Sequence, residues 1–181
     1  MALTGIRSYP LPAFNFFVSL IDTSSVLATI GTIASTANNS LVGGGFSECS
    51  GLESTLQVEE YAEGGENSYV HKFPTRMTHS NIILKRGITP IAEDLWNWHM
   101  DYVNGNGKRR DGVIVLCDEF HLPLKTWIFK RGLPLKWTGP TLNASQSTIA
   151  IESLEIMHEG LLLLSVGTGI AALGAEISAA F

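Results

Sequence analysis

Residues 148–158 read TIAIESLEIMH, a stretch whose length suits a strand or a short helix. Thr148, Ala150, Glu152, Leu154 and Ile156 recur with a period of two, opposite Ile149, Ile151 and Ser153. Side chains of a strand alternate between faces, and Ile and Thr favour the pleated backbone, so the stretch reads as a strand. The same period runs from Phe14 to Asp22, where Phe14, Phe16, Val18 and Leu20 share a face opposite Asn15 and Ser19. Further strands are expected at Phe46–Cys49, Thr55–Tyr61, Val70–Phe73 ahead of a break at Pro74, and Asn81–Lys85. Beyond them lie the continuously apolar Val113–Cys117, the alternating Leu124–Arg131, and a short strand starting at Lys136-Trp137 before Gly139-Pro140.

The period changes in one place. Thr89-Pro90 reads as an N-cap with proline in the first turn, followed by acidic Glu93 and Asp94 near the positive end of the helix dipole. Ile91, Leu95, Trp98 and Tyr102 form one apolar helical face, and Gly105 supplies a stop. The spacing predicts a helix over about residues 90–104. The expected fold class is therefore mainly β: a sandwich or barrel of two packed sheets with one flanking α-helix.

A length of 181 residues fits a single domain, taken as 1–181, with a core large enough to need no staples. Apolar residues make up 45% of the chain, which excludes wholesale disorder. Charged residues are only 16%, well below the roughly 25% of ordinary soluble domains, and self-association is one remedy for so little charge. The net charge of −5 argues against a nucleic-acid binder with a broad basic face. Two stretches stand apart. Residues 23–44 carry no charge and read as a loop insertion, and residues 163–181 form a Gly/Ala-rich C-terminal extension. From Leu161 to Phe181 the chain is apolar and long enough to cross a bilayer. Glu176 and the absence of flanking Lys or Arg favour a tail that packs on protein, so membrane contact is not expected.

No catalytic, cofactor or metal site emerges. The five histidines (His71, His79, His99, His121 and His158) lack zinc-protease spacing, and Cys49 and Cys117 form no metal motif. Gly45-Phe46-Ser47-Glu48-Cys49 falls one glycine short of a nucleophile elbow. Gly43–Gly45 lacks the Gly-Lys-Ser/Thr ending of a phosphate loop. Lys108-Arg109-Arg110 reads as a solvated turn or an inter-subunit ion pair. Glu59, Glu60, Glu63 and Glu66 lack the alternation of a calcium loop. Trp96, Trp98, Trp127 and Trp137 read first as core, with a ligand-stacking cluster as the alternative.

Several phrases together have a family likeness. They are Gly45–Glu53 (GFSECSGLE), Glu60–Gly65 (EYAEGG), Ile83–Gly87 (ILKRG), Leu95–Trp98 (LWNW), and the run from Arg109-Arg110 into Val113–Cys117. Lys136–Pro140 (KWTGP) with Leu142-Asn143, Ile151–Ile156 and His158–Leu161 complete the series. In order and spacing, over roughly residues 12–162, the chain resembles the tube-protein family of contractile phage tails and extracellular contractile injection systems. The resemblance implies a structural, non-enzymatic subunit without a cofactor. Six copies would form a ring, and rings would stack into the hollow inner tube driven through a target envelope when the sheath contracts. It also implies assembly in the cytoplasm into a tail or tail-like particle, with sheath, baseplate or spike, and lumenal cargo proteins as partners. The family's stacking loop corresponds here to Glu63–Tyr69, continuing through His71–Arg76. Glu63, Gly64, Gly65, Asn67 and Arg76 are its expected inter-ring contacts. The lengths of 23–44 and of the tail leave open a tube-initiator ring at the spike. A soluble β-sandwich ligand-binding module is the alternative of another class.

Overall fold

The computed structural model describes residues 10–22, 45–90 and 93–165. Among them the chain forms nine β-strands and one α-helix. The strands are β1 (Phe16–Asp22), β2 (Glu48–Ser50), β3 (Ser54–Tyr61), β4 (His71–His79) and β5 (Ile82–Gly87), then β6 (Arg110–Cys117), β7 (Pro123–Thr138), β8 (Ile151–Met157) and β9 (Gly160–Ser165). The helix, α1, is Asp94–Val103. Seven strands join in one antiparallel sheet in the order β1-β6-β7-β8-β5-β2, with β9 also beside β7, while β3 and β4 pair only with each other. The mainly β class with one flanking helix is thus as the sequence indicates.

The large sheet folds over onto itself. Val18, Ile114 and Phe129 from one half meet Ile82, Leu84, Leu154 and Ile156 from the other in one core, with Leu95 and Trp98 of α1 joining it. Strand β7 makes this possible by serving both halves. Its first part pairs with β6 and β9, and its last part, from Leu133 to Thr138, pairs with β8. Between them Arg131 adopts a positive φ of 50°, and its N–H donates to Asp111 Oδ1 at 2.7 Å. The sequence suggests two strands here, Leu124–Arg131 and one at Lys136-Trp137. The structure keeps one strand through Gly132 and Pro134, because a left-handed residue bends the backbone without ending the ladder.

The other side of the β1-β6-β7-β9 half carries a second apolar cluster: Val113, Val115, Cys117, Ile128 and Leu164, with Phe17, Ile21 and Leu162 against it. An apolar run with no alternation, as at Val113–Cys117, belongs to a strand buried on both faces. Phe16, Val18 and Leu20 share the core face as expected. Phe14 does not: the strand begins at Phe16, and Phe14 is exposed. Strand β8 follows the alternation of residues 148–158, with Glu152, Leu154 and Ile156 buried.

Helix α1 starts four residues later than the sequence suggests. Glu93, not Thr89, occupies the N-cap position and makes no side-chain capping bond. The first-turn Asp94 instead accepts from Arg86 of β5 at 2.6 Å, which ties the helix to the sheet. Leu95, Trp98 and Tyr102 do face the core, whereas Ile91 lies outside the described residues. Gly105, at φ 80°, follows the helix end. The apolar stretch beginning at Leu161 opens as a strand, β9, paired with β7. Residues 23–44 and 166–181 lie outside the described residues. Among the described residues no helix is long and apolar enough to cross a membrane.

Candidate assembly site

Strands β3 and β4 form a two-stranded arm standing apart from the large sheet. Residues opposed across an antiparallel pair share a face, so the register sorts the side chains. Leu56 opposes Met77 and Val58 opposes Pro74 on one face. Glu59 opposes Phe73 and Tyr61 opposes His71 on the other. Between Leu56 and Val58 the register shifts by a bulge, where the Thr75 hydroxyl donates to the Gln57 carbonyl at 3.1 Å. Proline lacks an N–H and survives within strands at bulges and edges, which is why β4 runs through Pro74 where the sequence suggests a break.

Both faces of the arm carry exposed apolar side chains, with Glu60 and Lys72 on the aliphatic face and Glu59 on the aromatic one. Leu56, Val58, Phe73 and Met77 are 54%, 49%, 53% and 62% exposed. On the aromatic face, Tyr69 stands edge-on to His71 at 5.1 Å and His71 stacks on Phe73 at 6.2 Å. Ion pairs mark the distal end: Lys72 with Glu60 at 3.5 Å, and His71 Nε2 3.2 Å from Glu63 Oε2. An isolated two-stranded hairpin is marginal in water, and exposed apolar area of this kind marks an interaction surface.

The tip spans residues 62–70. Gly65 has φ +99°, a left-handed conformation that glycine adopts without strain. The Ser68 hydroxyl, and then its backbone N–H, donate to Glu66 and hold that carboxyl below its usual range. Of the five residues expected from the sequence, Glu63, Gly64, Gly65 and Asn67 come together on this tip and are exposed. Arg76 is also exposed but lies apart, in the bulged stretch of β4. The sequence does not mark Leu56, Val58 or Met77 as contacts, and Phe73 is covered only as part of the stretch His71–Arg76. Their alternation with polar residues signals a half-covered strand, but nothing in it says that the cover must come from elsewhere.

The root of the arm, by contrast, is fastened to the sheet. Gly51, at φ +87°, lies so close to the next segment that a Cβ there would sit 2.0 Å from the Asn81 carbonyl oxygen. The Ser80 hydroxyl donates to Glu53 at 2.8 Å, and the Asn81 amide donates to Glu155 of β8 at 2.7 Å. The His158 ring, just beyond β8, reaches the Ser80 carbonyl through Nε2 at 3.1 Å.

The other sequence candidates serve the fold. Arg109 donates to the Arg131 carbonyl and pairs with Glu159, while Arg110 lies 5.0 Å over the Trp98 ring. Trp98 is core, and its indole N–H donates to the Lys108 carbonyl. Trp96 packs edge-on against Trp137 at 4.6 Å, and the Trp137 indole N–H donates to Glu152. Among the described residues no group of three His, Cys, Asp or Glu side chains gathers as metal ligands.

Residues 12–162 match the family profile described as T4-like virus tail tube protein gp19. No curated protein sequence matches the chain. Among solved structures, a chain of the anti-feeding prophage (AFP) baseplate, 6-fold symmetrised, is similar with a TM-score of 0.72 at 24% identity, covering 89% of this chain and 99% of its own. A chain of the extracellular contractile injection system PVC sheath-tube complex in the extended state gives 0.69 at 24% identity, covering 88% and 95%. A chain of the anti-feeding prophage cap (AFP tube terminating cap) gives 0.71 at 24% identity, covering 92% and 100%. At that identity the likeness establishes the fold.

Proposed function

The chain belongs to the T4-like virus tail tube protein gp19 family, and from that membership we propose that it builds the hollow inner tube of a contractile injection apparatus. In this reading six copies close a ring, and rings stack into a tube that sheath contraction drives through a target envelope. Assembly takes place in the cytoplasm, and sheath, baseplate or spike and lumenal cargo proteins are the partners. Residues 1–181 act as one tube-type domain, to which 23–44 and the C-terminal tail are additions.

The observation that carries the reading is the two-sided arm. A ribbon whose opposite faces both carry exposed apolar side chains cannot be covered by lying on one surface; it has to sit between two. Neighbouring copies in a stacked ring assembly supply such a slot, and repetition satisfies every arm with its equivalent. The tip residues Glu63, Gly64, Gly65 and Asn67, with Arg76 along the strand, are the proposed inter-ring contacts. Burial between copies also protects the hydrogen-bonding edges of an arm that would otherwise invite aggregation.

Light scattering on a sizing column, with negative-stain images of the concentrated peak, tests this directly. Six-fold rings or hollow rods are expected. A monomer at every concentration, with the arm still exposed, overturns the proposal of self-assembly.

A further inference from the structure

The half-sheet β1-β6-β7-β9 has two faces, and the other described elements gather on only one of them. Leu95 and Trp98 of α1 and the strands of the other half pack on the face of Val18, Ile114 and Phe129. The opposite face carries Val113, Val115, Cys117, Ile128 and Leu164, each between 2% and 5% exposed. The register sets Val113 between Ser19 and Ile128, and Val115 between Phe17 and Thr126. Ser19 and Thr126 are buried as well. Among the described residues, the half-buried apolar side chains that pack on this cluster, Phe17, Ile21 and Leu162, come from the same four strands. A sheet cannot bury its own face. Neighbouring side chains shield one another's flanks, but their tops stay open to water until another layer lies on them.

Two long stretches outside the described residues adjoin this half-sheet: 23–44 after β1, and 166–181 after β9. Ten of the twenty-two residues in 23–44 are Ser, Thr or Asn. Of the sixteen in 166–181, only Thr168, Glu176 and Ser178 are polar. There Ile170, Leu173, Ile177 and Phe181 recur at i, i+3, i+7 and i+11, the spacing of one apolar helical stripe, with Thr168 and Glu176 on the opposite side. The stretch follows directly on β9, whose Leu162 and Leu164 belong to the face. Ser165 pairs with Lys125, and Lys125 with Leu116, so the stretch departs at the end of the face where Cys117 lies. Sixteen residues in helical form reach about 24 Å and the six of β9 about 20 Å, which is enough to cross the face once.

We propose that residues 166–181 fold back over the Val113–Cys117 face and form its outer layer, with the stripe from Ile170 to Phe181 turned inward. The contact lies within one chain and does not rest on ring formation.

Thiol labelling of the full chain at pH 7.5, mapped by mass spectrometry, tests this, because Cys117 sits on the face and Cys49 packs against the other core. Deleting 166–181 should speed labelling of Cys117 at least about tenfold while Cys49 stays slow, since a thiol reacts only where reagent reaches it. Replacing 23–44 by a short Gly/Ser linker should leave both slow. Within the full chain, Ile177→Asp should speed Cys117 selectively, and Ala179→Asp, off the stripe, should not. A Cys117 that stays slow without 166–181 overturns the proposal and leaves a second copy as the cover. A Cys117 freed by loss of 23–44 alone overturns it in favour of that segment. Should the shortened chain unfold, seen as both thiols labelling together, the comparison of Ile177→Asp with Ala179→Asp decides, and equal rates overturn the proposal.

Discussion

Arg86 and Glu152 form an ion pair inside the protein, Nε to Oε1 at 2.6 Å, with side chains only 2% and 6% exposed. The pair joins β5 to β8, Asp94 brings in the helix, and Trp137 brings in β7. Removing one partner of a buried pair strands the other and costs about 3–5 kcal/mol, whereas replacing both with apolar volume often costs little. Asp94 still holds Arg86 in Glu152→Leu while Trp137 loses its acceptor, so that variant should lower unfolding stability by about 1–3 kcal/mol in urea titrations. The double variant Arg86→Met with Glu152→Leu should recover much of that loss. A double variant no better than the single one would show that the charges themselves, and not their mutual desolvation, set the cost.

Glycines at the two ends of the arm should behave oppositely. Gly51→Ala combines a left-handed φ with a 2.0 Å approach to backbone, and should cost more than about 2 kcal/mol. At Gly64 nothing lies within 4 Å, so Gly64→Ala should leave the isolated subunit unchanged to within about 0.5 kcal/mol. Thermal melts of the two variants check the contrast. Gly64 is thus the clean position for probing the proposed ring stacking, because Gly65, at φ +99°, adds strain of its own to any side chain.

The aliphatic face of the arm is testable in the same way. Leu56→Ser and Met77→Ser alter exposed side chains and should shift subunit stability by no more than about 0.5 kcal/mol. If the face is buried between copies, both should abolish rods in negative-stain images. Rods of normal length in both variants would remove this face from the proposed contacts.

The thiols should be silent. Burial, and then the charge of Glu48, push Cys49 up to about 11, and burial likewise raises Cys117. Because the thiolate is the reactive form, a colorimetric thiol reagent at pH 7.5 should label neither cysteine quickly in the folded chain and both after denaturation. Rapid labelling of one site in the native protein would contradict the packing at that strand.

Much of the fold was legible because burial and period coincide along single elements. Leu154 and Ile156 alternate into the core, Leu95 and Trp98 share a helical stripe, and Val113–Cys117 is apolar because both of its faces are covered. The less legible features depend on partners remote in sequence. Glu152 reads as a polar residue on a core face until Arg86, 66 positions away, explains it. The bend at Arg131 and the passage of β4 through Pro74 follow from register and bulges, which the local composition does not encode. Four of the five expected contact residues were brought together on one tip because they are neighbours in sequence. The role of the apolar faces behind them is less legible, because period shows that a strand has sides, not what covers them.

Strand β7 carries one further consequence. Because a single strand of 16 residues serves both halves of the folded sheet, a pull on one half reaches the other along covalent bonds. Among the described residues no strand ladder other than those of β7 joins the halves, so none can be unzipped on its own. Under load such a unit behaves as one stiff link, and the proposed stack of such links should part at its couplings before any link gives way.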